Sequence, residues 1–176
     1  MVKFINKNSS ICLLIVLLVF SRLIPHPPNF TPIIAIVVLS GMLFKTFLIS
    51  SFVFLVSMFI SDIILGLHSN VIFIYFSLLV IGILFYYILN EINYKNLLVY
   101  SLLGSLIFYL ITNFAVWYNS NLYEKTLDGL IQCYILAIPF FSNTVISTIF
   151  FSYLTFTCVN KLNNYFYIKK DDKFSI

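Results

Sequence analysis

The stretch RLIPHPPNFTP, residues 22–32, decides how this chain folds. It places an arginine, a histidine, an asparagine and four prolines between two strongly apolar runs. Proline fixes φ and cannot continue a helix, so the stretch separates one apolar helix from the next. A connection held stiff by prolines and carrying these polar side chains is suited to cap a ligand at the end of a helical bundle.

The composition on either side of this stretch is that of a membrane protein. Of the 176 residues, 61% are hydrophobic and 9% are charged, and the mean hydropathy is +1.04. A soluble domain carries about 25% charged residues. The net charge of +4 does not indicate nucleic-acid binding, because the lysines lie in short loops and a tail without a basic face. We predict an all-α integral membrane helical bundle, one transmembrane domain embedded in the lipid bilayer.

The apolar runs predict about six transmembrane helices. A span needs about 20 apolar residues to cross a hydrocarbon core of about 30 Å. The predicted spans are 9–24, 31–44, 46–66, 71–90, 96–118 and 142–161, with a short outer helix at 127–140 and a cytoplasmic tail at 162–176.

Two of these segments leave alternatives open. The segment 31–44 reaches only about 21 Å as a helix, so it must thin the bilayer, snorkel its ends or stop part-way. The segment 127–140 is either a separate interfacial or re-entrant helix, or the first part of one helix bent at Pro139. We favour two helices, because Ser142 or Asn143 would serve as an N-cap after the proline.

Lysine and arginine placement predicts the orientation, since cytoplasmic loops carry the excess of basic residues. With six crossings and a cytoplasmic N-terminus, the outer side holds only Arg22 and Lys125. The inner side holds Lys3, Lys7, Lys45, Lys95, Lys161, Lys169, Lys170 and Lys173. We therefore predict a multi-pass protein of the inner (plasma) membrane with both termini in the cytoplasm. A non-crossing hairpin of the first two helices would leave four spans in the same orientation.

Unusual polar residues gather on the predicted outer side, and this asymmetry is the main functional signal. A charge inside a span costs roughly 2.5–3.5 kcal/mol, and such residues usually face a bundle interior or a wet cavity. A pair between Asp62 and Arg22 would neutralise both charges. We predict that ten residues line or cap an outward pocket: Arg22, His26, Asn29, Asp62, His68, Asn113, Trp117, Lys125, Asp128 and Asn143.

The predicted roles follow from side-chain chemistry. Arg22 and Lys125 would contact an anionic group of a ligand, Trp117 would cover an aromatic ring, and Asp62 would orient Arg22 or accept from a ligand N–H. Simpler interpretations compete with these roles. An arginine at a helix end often snorkels to the headgroups, Trp117 fits an aromatic belt, and His26 and His68 could be ordinary loop residues.

The sequence contains none of the common nucleotide-binding or catalytic motifs. It contains no Walker motif, GxGxxG, HExxH or GxSxG, and no spacing that pairs a nucleophile with its base. Cys12, Cys133 and Cys158 form no CxxC pair. We predict a protein that is not an enzyme and holds no cofactor or metal.

Four motifs together resemble an uncharacterised family of small bacterial membrane proteins: RLIPHPPNFTPI (22–33), SDIILGLHS (61–69), TNFAVW (112–117) and YEKTLDGLIQCYILAIPFFSNT (123–144). The resemblance covers roughly residues 10 to 160. That family is often grouped with the substrate-binding S components of energy-coupling factor (ECF) vitamin transporters. The resemblance implies a six-helix protein that captures a small molecule outside and works with a transmembrane coupling subunit and two ATPases.

The first helix departs from many S components, which carry an Ala-x-x-x-Ala docking patch there. This helix contains no alanine, and the closest small-residue pair is Ser101 and Ser105 around Gly104. Our leading prediction is an S-component-like uptake protein for a vitamin or cofactor precursor. The alternatives are a structural or assembly subunit of a membrane complex, and a membrane enzyme acting at the outer leaflet.

Overall fold

The structure, a computed structural model, describes residues 8–67, 69–87 and 92–171, with the backbone alone for 8, 9 and 163–171. The described part is all-helical. Its helices are α1 Asn8–Leu23, α2 Ile33–Val38, α3 Ser40–Leu43, α4 Phe47–Leu65, α5 Val71–Tyr87, α6 Tyr94–Asn119, α7 Leu127–Leu136 and α8 Ile138–Asp171. His68, residues 88–91 and residues 172–176 lie outside the described ranges, and with them the predicted end of the fourth span and the last part of the predicted tail.

Three of the described helices are long and apolar enough to cross a membrane, which is compatible with a membrane location. They are α4, α6 and the Ile138–Leu162 part of α8. The shorter helices α1, α5 and α7 are also apolar. Exposed aliphatic and aromatic side chains cover the outer faces of the bundle, as at Leu17, Phe59 and Leu106. Eight helices are therefore found in the described residues, where the sequence predicted six spans and one short helix.

The centre of the bundle is a short helix enclosed by other helices. Every residue from 33 to 40 is buried, and α2 packs against α4, α5, α6 and α8. The predicted single helix over 31–44 is wrong: two short helices meet at Leu39, whose φ of −85° and ψ of 6° interrupt the regular geometry. Because the segment is enclosed by other helices, it does not need the length of a helix that faces lipid along its whole course.

Close packing on α5 accompanies this break. A Cβ added at Gly41 would lie 3.4 Å from the carbonyl oxygens of Phe85 and Tyr86, so the backbones of α3 and α5 nearly touch. The hydroxyl of Tyr86 donates to the carbonyl oxygen of Lys45 at 2.7 Å, which secures the start of α4 to the end of α5.

The small residues of α6 face the bundle interior. Ser101, Gly104 and Ser105 are buried, and a Cβ at Gly104 would lie 2.7 Å from Cγ2 of Val38. Glycine is needed here because α2 approaches the α6 backbone so closely. The small-residue pair in α6 is thus an internal packing surface, and it is not available for docking another subunit.

The junction between α7 and α8 lies before the proline. Helix α7 ends at Leu136 and α8 begins at Ile138, so Pro139 lies in the first turn of α8, where its missing N–H leaves no hydrogen bond unmade. The predicted division into two helices is confirmed, but the junction lies at residue 137, where the sequence predicted residue 141, and the predicted N-cap is wrong. Ser142 is already helical and its hydroxyl donates to the carbonyl oxygen of Ile138.

The backbone of α8 continues to Asp171, well beyond the predicted start of the tail at residue 162. The apolar pattern ends near Lys161, but residues 162–171 contain no glycine or proline that would stop a helix. The end of the apolar run therefore marks the end of the part of α8 that is apolar enough to cross a membrane, without marking the end of the helix.

Replacing Gly104 by alanine tests the contact between α6 and α2. Because the new methyl would overlap Val38, we expect Gly104→Ala to lower the free energy of unfolding by about 1–3 kcal/mol, the usual effect of overpacking. The measurement is unfolding in detergent followed by circular dichroism. Gly41→Ala is the control, since its nearest neighbours would lie at 3.4 Å. Adding Val38→Ala to Gly104→Ala should recover stability; no recovery would show that this contact is not the cause.

Candidate functional site

A buried ion pair joins α1 to α4, as the sequence predicted. Nη1 of Arg22 lies 2.7 Å from Oδ1 of Asp62, whose side chain is 1% exposed, while that of Arg22 is 15% exposed. The same nitrogen donates to the Ser61 hydroxyl and, at 3.2 Å, to the carbonyl oxygen of Met58. The other carboxylate oxygen of Asp62 accepts from the Tyr75 hydroxyl at 2.7 Å. Three helices therefore meet at one carboxylate.

The helix dipole favours the charge of Arg22 and disfavours that of Asp62. Arg22 lies in the last turn of α1, where the helix dipole favours a cation. Asp62 lies in the last turn of α4, just before Gly66 ends the helix with a φ of 98°. A carboxylate is disfavoured at that end of a helix. Asp62 therefore depends on Arg22 and Tyr75 for its charge to be tolerated in the interior.

The loop of residues 24–32, which we call the proline loop, crosses from this ion pair to α8. Within it, Nδ1 of His26 donates to the carbonyl oxygen of Pro27 at 2.8 Å. Asn29 adopts a φ of 63°, in the left-handed region that asparagine tolerates better than most residues. The Ser147 hydroxyl donates to the carbonyl oxygen of Asn29 at 3.2 Å. The Phe30 ring packs edge-on against Phe151, with centroids 5.9 Å apart.

Two cavities lie beneath and beside the proline loop. The larger, about 390 Å³, is bounded by this loop, the start of α5, the second half of α6, α7 and the start of α8. The smaller, about 120 Å³, lies between the proline loop, α2, α4, α5 and α6. Both are lined by Asn29, Ile74 and Phe108, so the cavities adjoin. The larger one has the size of a small-molecule site, for which 300–1,000 Å³ is typical.

Four predicted site residues line these cavities. Arg22 and His26 line the smaller cavity, Asn113 lines the larger, and Asn29 lines both. Asp62 lies behind Arg22 and in neither lining. His68 lies outside the described residues. Whether the four lining residues bind a ligand stays a prediction.

Lys125 and Trp117 have a different arrangement from the predicted one. The Lys125 ammonium donates to the carbonyl oxygens of Trp117, of Tyr118 at 3.1 Å and of Ser120 at 2.6 Å. It also lies 5.6 Å from the Trp117 ring centroid, and Nε1 of Trp117 donates to the carbonyl oxygen of Glu124 at 2.9 Å. Because a cation stabilises the carbonyl end of a helix, Lys125 caps α6.

The remaining two predicted residues also lie away from the cavity linings. Asp128 is exposed in the first turn of α7, where the helix dipole favours a carboxylate. Asn143 is half-buried in the second turn of α8. Neither is part of the described lining of either cavity.

Several residues of the site were not predicted. Tyr75 completes the Asp62 cluster. Tyr109 and Tyr134 join α7 to α6 by two hydrogen bonds. The Tyr109 hydroxyl donates to the carbonyl oxygen of Tyr134, and the Tyr134 hydroxyl donates to the carbonyl oxygen of Leu110. Tyrosines are too common in this chain, with 12 in all, for position alone to single these out. A tyrosine needs a hydrogen-bond partner when it is buried, but the sequence does not say which partner.

The described lining of the larger cavity offers neutral hydrogen-bonding groups and aromatic rings. Among the described residues, no three of histidine, cysteine, aspartate and glutamate lie close enough to hold a metal ion. Cys133, which lines the larger cavity, donates its thiol to the carbonyl oxygen of Asn113 at 3.4 Å.

Comparison with known proteins identifies a family without naming an activity. The model of a family described as "Family of unknown function (DUF6580)" matches residues 3–169, nearly the whole chain. No curated protein and no solved structure matches the chain. The resemblance to S components accordingly stays a prediction.

Removing Arg22 tests the buried ion pair. Arg22→Gln would leave the Asp62 charge buried without its partner, which typically costs about 3–5 kcal/mol of stability. We expect Asp62→Asn in the same chain to recover much of that loss, because the uncompensated charge is then gone. Unfolding in detergent measures both, with Lys95→Gln, at an exposed position, as the control. A double variant no more stable than Arg22→Gln would contradict the interpretation.

Proposed function

We propose a function for this chain, which belongs to the DUF6580 family: it captures a small molecule, of the vitamin or cofactor-precursor class, from the outer side of the membrane for uptake. The observation that carries the proposal is the pair of adjoining cavities under the proline loop. A largely pre-formed concave site, mostly apolar with a few convergent polar groups, is the usual form of a small-molecule site.

The placement of the cavities supports access from outside. Their lining comes from the proline loop, the start of α5, the second half of α6 and the start of α8. These parts of the chain share one end of the bundle, and Lys45 and Lys95 lie at the beginnings of α4 and α6, towards the other end. By the positive-inside rule the lysine end is cytoplasmic, so the cavities would open outwards.

The proposal includes an S-component-like arrangement in which α1, the α2–α3 segment, α4, α5, α6 and α8 make six passes. Energy for uptake would come from a coupling subunit and ATPases, since the sequence contains no nucleotide-binding motif. A coupling subunit would meet bulky side chains on α1, because Leu13, Val16, Leu17 and Phe20 are exposed there. Docking would therefore differ from that of S components with alanine patches.

Cysteine labelling tests the orientation. In a background with Cys12, Cys133 and Cys158 replaced by serine, we expect Lys125→Cys to react with a membrane-impermeant maleimide in intact cells. Lys95→Cys, at the opposite end, should react only after permeabilisation. Both positions are exposed, so the result depends on the side of the membrane on which each cysteine lies. Labelling of Lys95→Cys alone in intact cells would invert the proposed topology.

Filling the larger cavity tests capture of a ligand. Ala137 is buried and lines this cavity, so Ala137→Phe would occupy space that a ligand needs. We expect native mass spectrometry of the purified protein to detect a bound small molecule in the wild type, and its occupancy to fall about tenfold or more in Ala137→Phe. Ile138→Phe is the matched control, because Ile138 is exposed and outside the described lining.

Two results would contradict the proposal. One is the absence of any bound small molecule together with stable co-purification of another membrane protein, which would favour the assembly-subunit alternative. The other is equal occupancy in Ala137→Phe and Ile138→Phe, which would place the bound molecule elsewhere.

A further inference from the structure

We infer that the ligand of these cavities is an uncharged, ring-containing molecule that bears both a hydrogen-bond donor and an acceptor. The inference rests on the proposed function and names its ligand class. It also departs from the prediction, made from the sequence, that Arg22 and Lys125 contact an anionic group.

The larger cavity offers no charge to balance an ionic ligand. Its described lining holds no lysine, arginine, histidine, aspartate or glutamate. A charge moved from water into such a lining, with no partner of opposite sign, pays a large desolvation penalty. The part of the ligand that occupies this cavity is therefore neutral.

The smaller cavity contains Arg22, but its charge is already matched. Nη1 of Arg22 lies 2.7 Å from Asp62, and the pair has no net charge. An anion placed beside Arg22 would lie near the buried Asp62 carboxylate behind it, and that carboxylate repels it. Arg22 therefore contributes shape and N–H donors to this cavity, and no net positive charge.

Lys125 is likewise unsuited to receive an anion. Its ammonium contacts three carbonyl oxygens at the end of α6, and Lys125 is outside the described lining of both cavities. Using it for a ligand would uncap α6.

Aromatic side chains give the larger cavity its preference for a ring. Phe108, Tyr109, Phe140 and Phe141 contribute to its lining, and the Tyr109 and Phe141 rings lie 4.6 Å apart between centroids. Aromatic faces favour offset or edge-on contact with another ring.

Two asparagines supply complementary polar groups. Nδ2 of Asn113 donates to the carbonyl oxygen of Tyr109 at 2.8 Å, which leaves Oδ1 as an acceptor within the described structure. Oδ1 of Asn70 accepts from Asn119 at 2.9 Å, which leaves the Asn70 amide hydrogens as donors. Both asparagines line the larger cavity, so an amide-like or lactam-like edge would satisfy one group of each.

Measuring the net charge of the bound molecule tests the inference directly. The wild-type protein is purified in detergent and denatured to release the bound molecule. Mass spectrometry identifies the released molecule, and its electrophoretic mobility at pH 7 measures its net charge. A neutral molecule supports the inference. A released anion or cation overturns it and leaves the proposed function standing.

Isosteric probes provide a second, independent measurement on the folded protein. Nicotinamide is compared with nicotinate, and indole-3-acetamide with indole-3-acetate, each by competition with the co-purified molecule or by thermal shift. We expect the amide of at least one pair to bind about tenfold or more tightly than its carboxylate, and to lose this binding in Ala137→Phe. Tighter binding of the carboxylates overturns the inference. If no molecule co-purifies and no probe binds, the proposed function fails, and the ligand class fails with it.

Discussion

The architecture at one end of the bundle depends on the buried carboxylate of Asp62. A single charge at this depth is tolerated only with direct partners, and its two oxygens are satisfied by Arg22 from α1 and Tyr75 from α5. The need to neutralise Asp62 therefore brings three helix ends together. It also fixes where the proline loop starts, because Arg22 lies two residues before that loop.

From this fixed start, the proline loop is tied down a second time at α8. The contacts of Asn29 with Ser147 and of Phe30 with Phe151 hold its far half. A segment held at both ends and stiffened by prolines loses little further entropy when a ligand binds, which is the benefit of a pre-organised site. The cavities beneath it thus owe their shape to backbone restraint, with Asn29 in the left-handed region as the point where the chain turns.

Hydropathy and the positions of helix-breaking residues were enough to predict most of the helices and the ion pair. The bounds of α1, α4 and α6 differ by two residues or fewer from the predicted ones, because apolar runs and prolines mark them clearly. Asp62 and Arg22 were predictable partners, because a charge in an apolar helix must be matched and the chain has only one arginine. The asymmetry of polar residues also pointed to the end of the bundle at which the two cavities lie.

Other features depended on information that hydropathy lacks. An apolar helix against lipid and one enclosed by protein have the same composition, so the interior position of α2 and its break at Leu39 were not predictable. The contacts of Lys125 with the α6 carbonyl oxygens were not predictable, because they depend on how residues 120–125 turn back towards the end of α6. Of ten predicted site residues, four line the cavities. Three of these, Arg22, His26 and Asn29, lie in or just before the proline loop, whose position follows from the ion pair.

The enclosure of α2 has a consequence for biogenesis. Its neighbours α4, α5, α6 and α8 all follow it in the chain, and α8 is the last of the described helices. During synthesis from the N-terminus, α2 cannot acquire its final surroundings until the ribosome has produced α8. Its apolar surface is as compatible with acyl chains as with side chains, so the nascent segment can wait in the membrane for its partners. Truncation before α8 would leave the core of the bundle permanently open on one side.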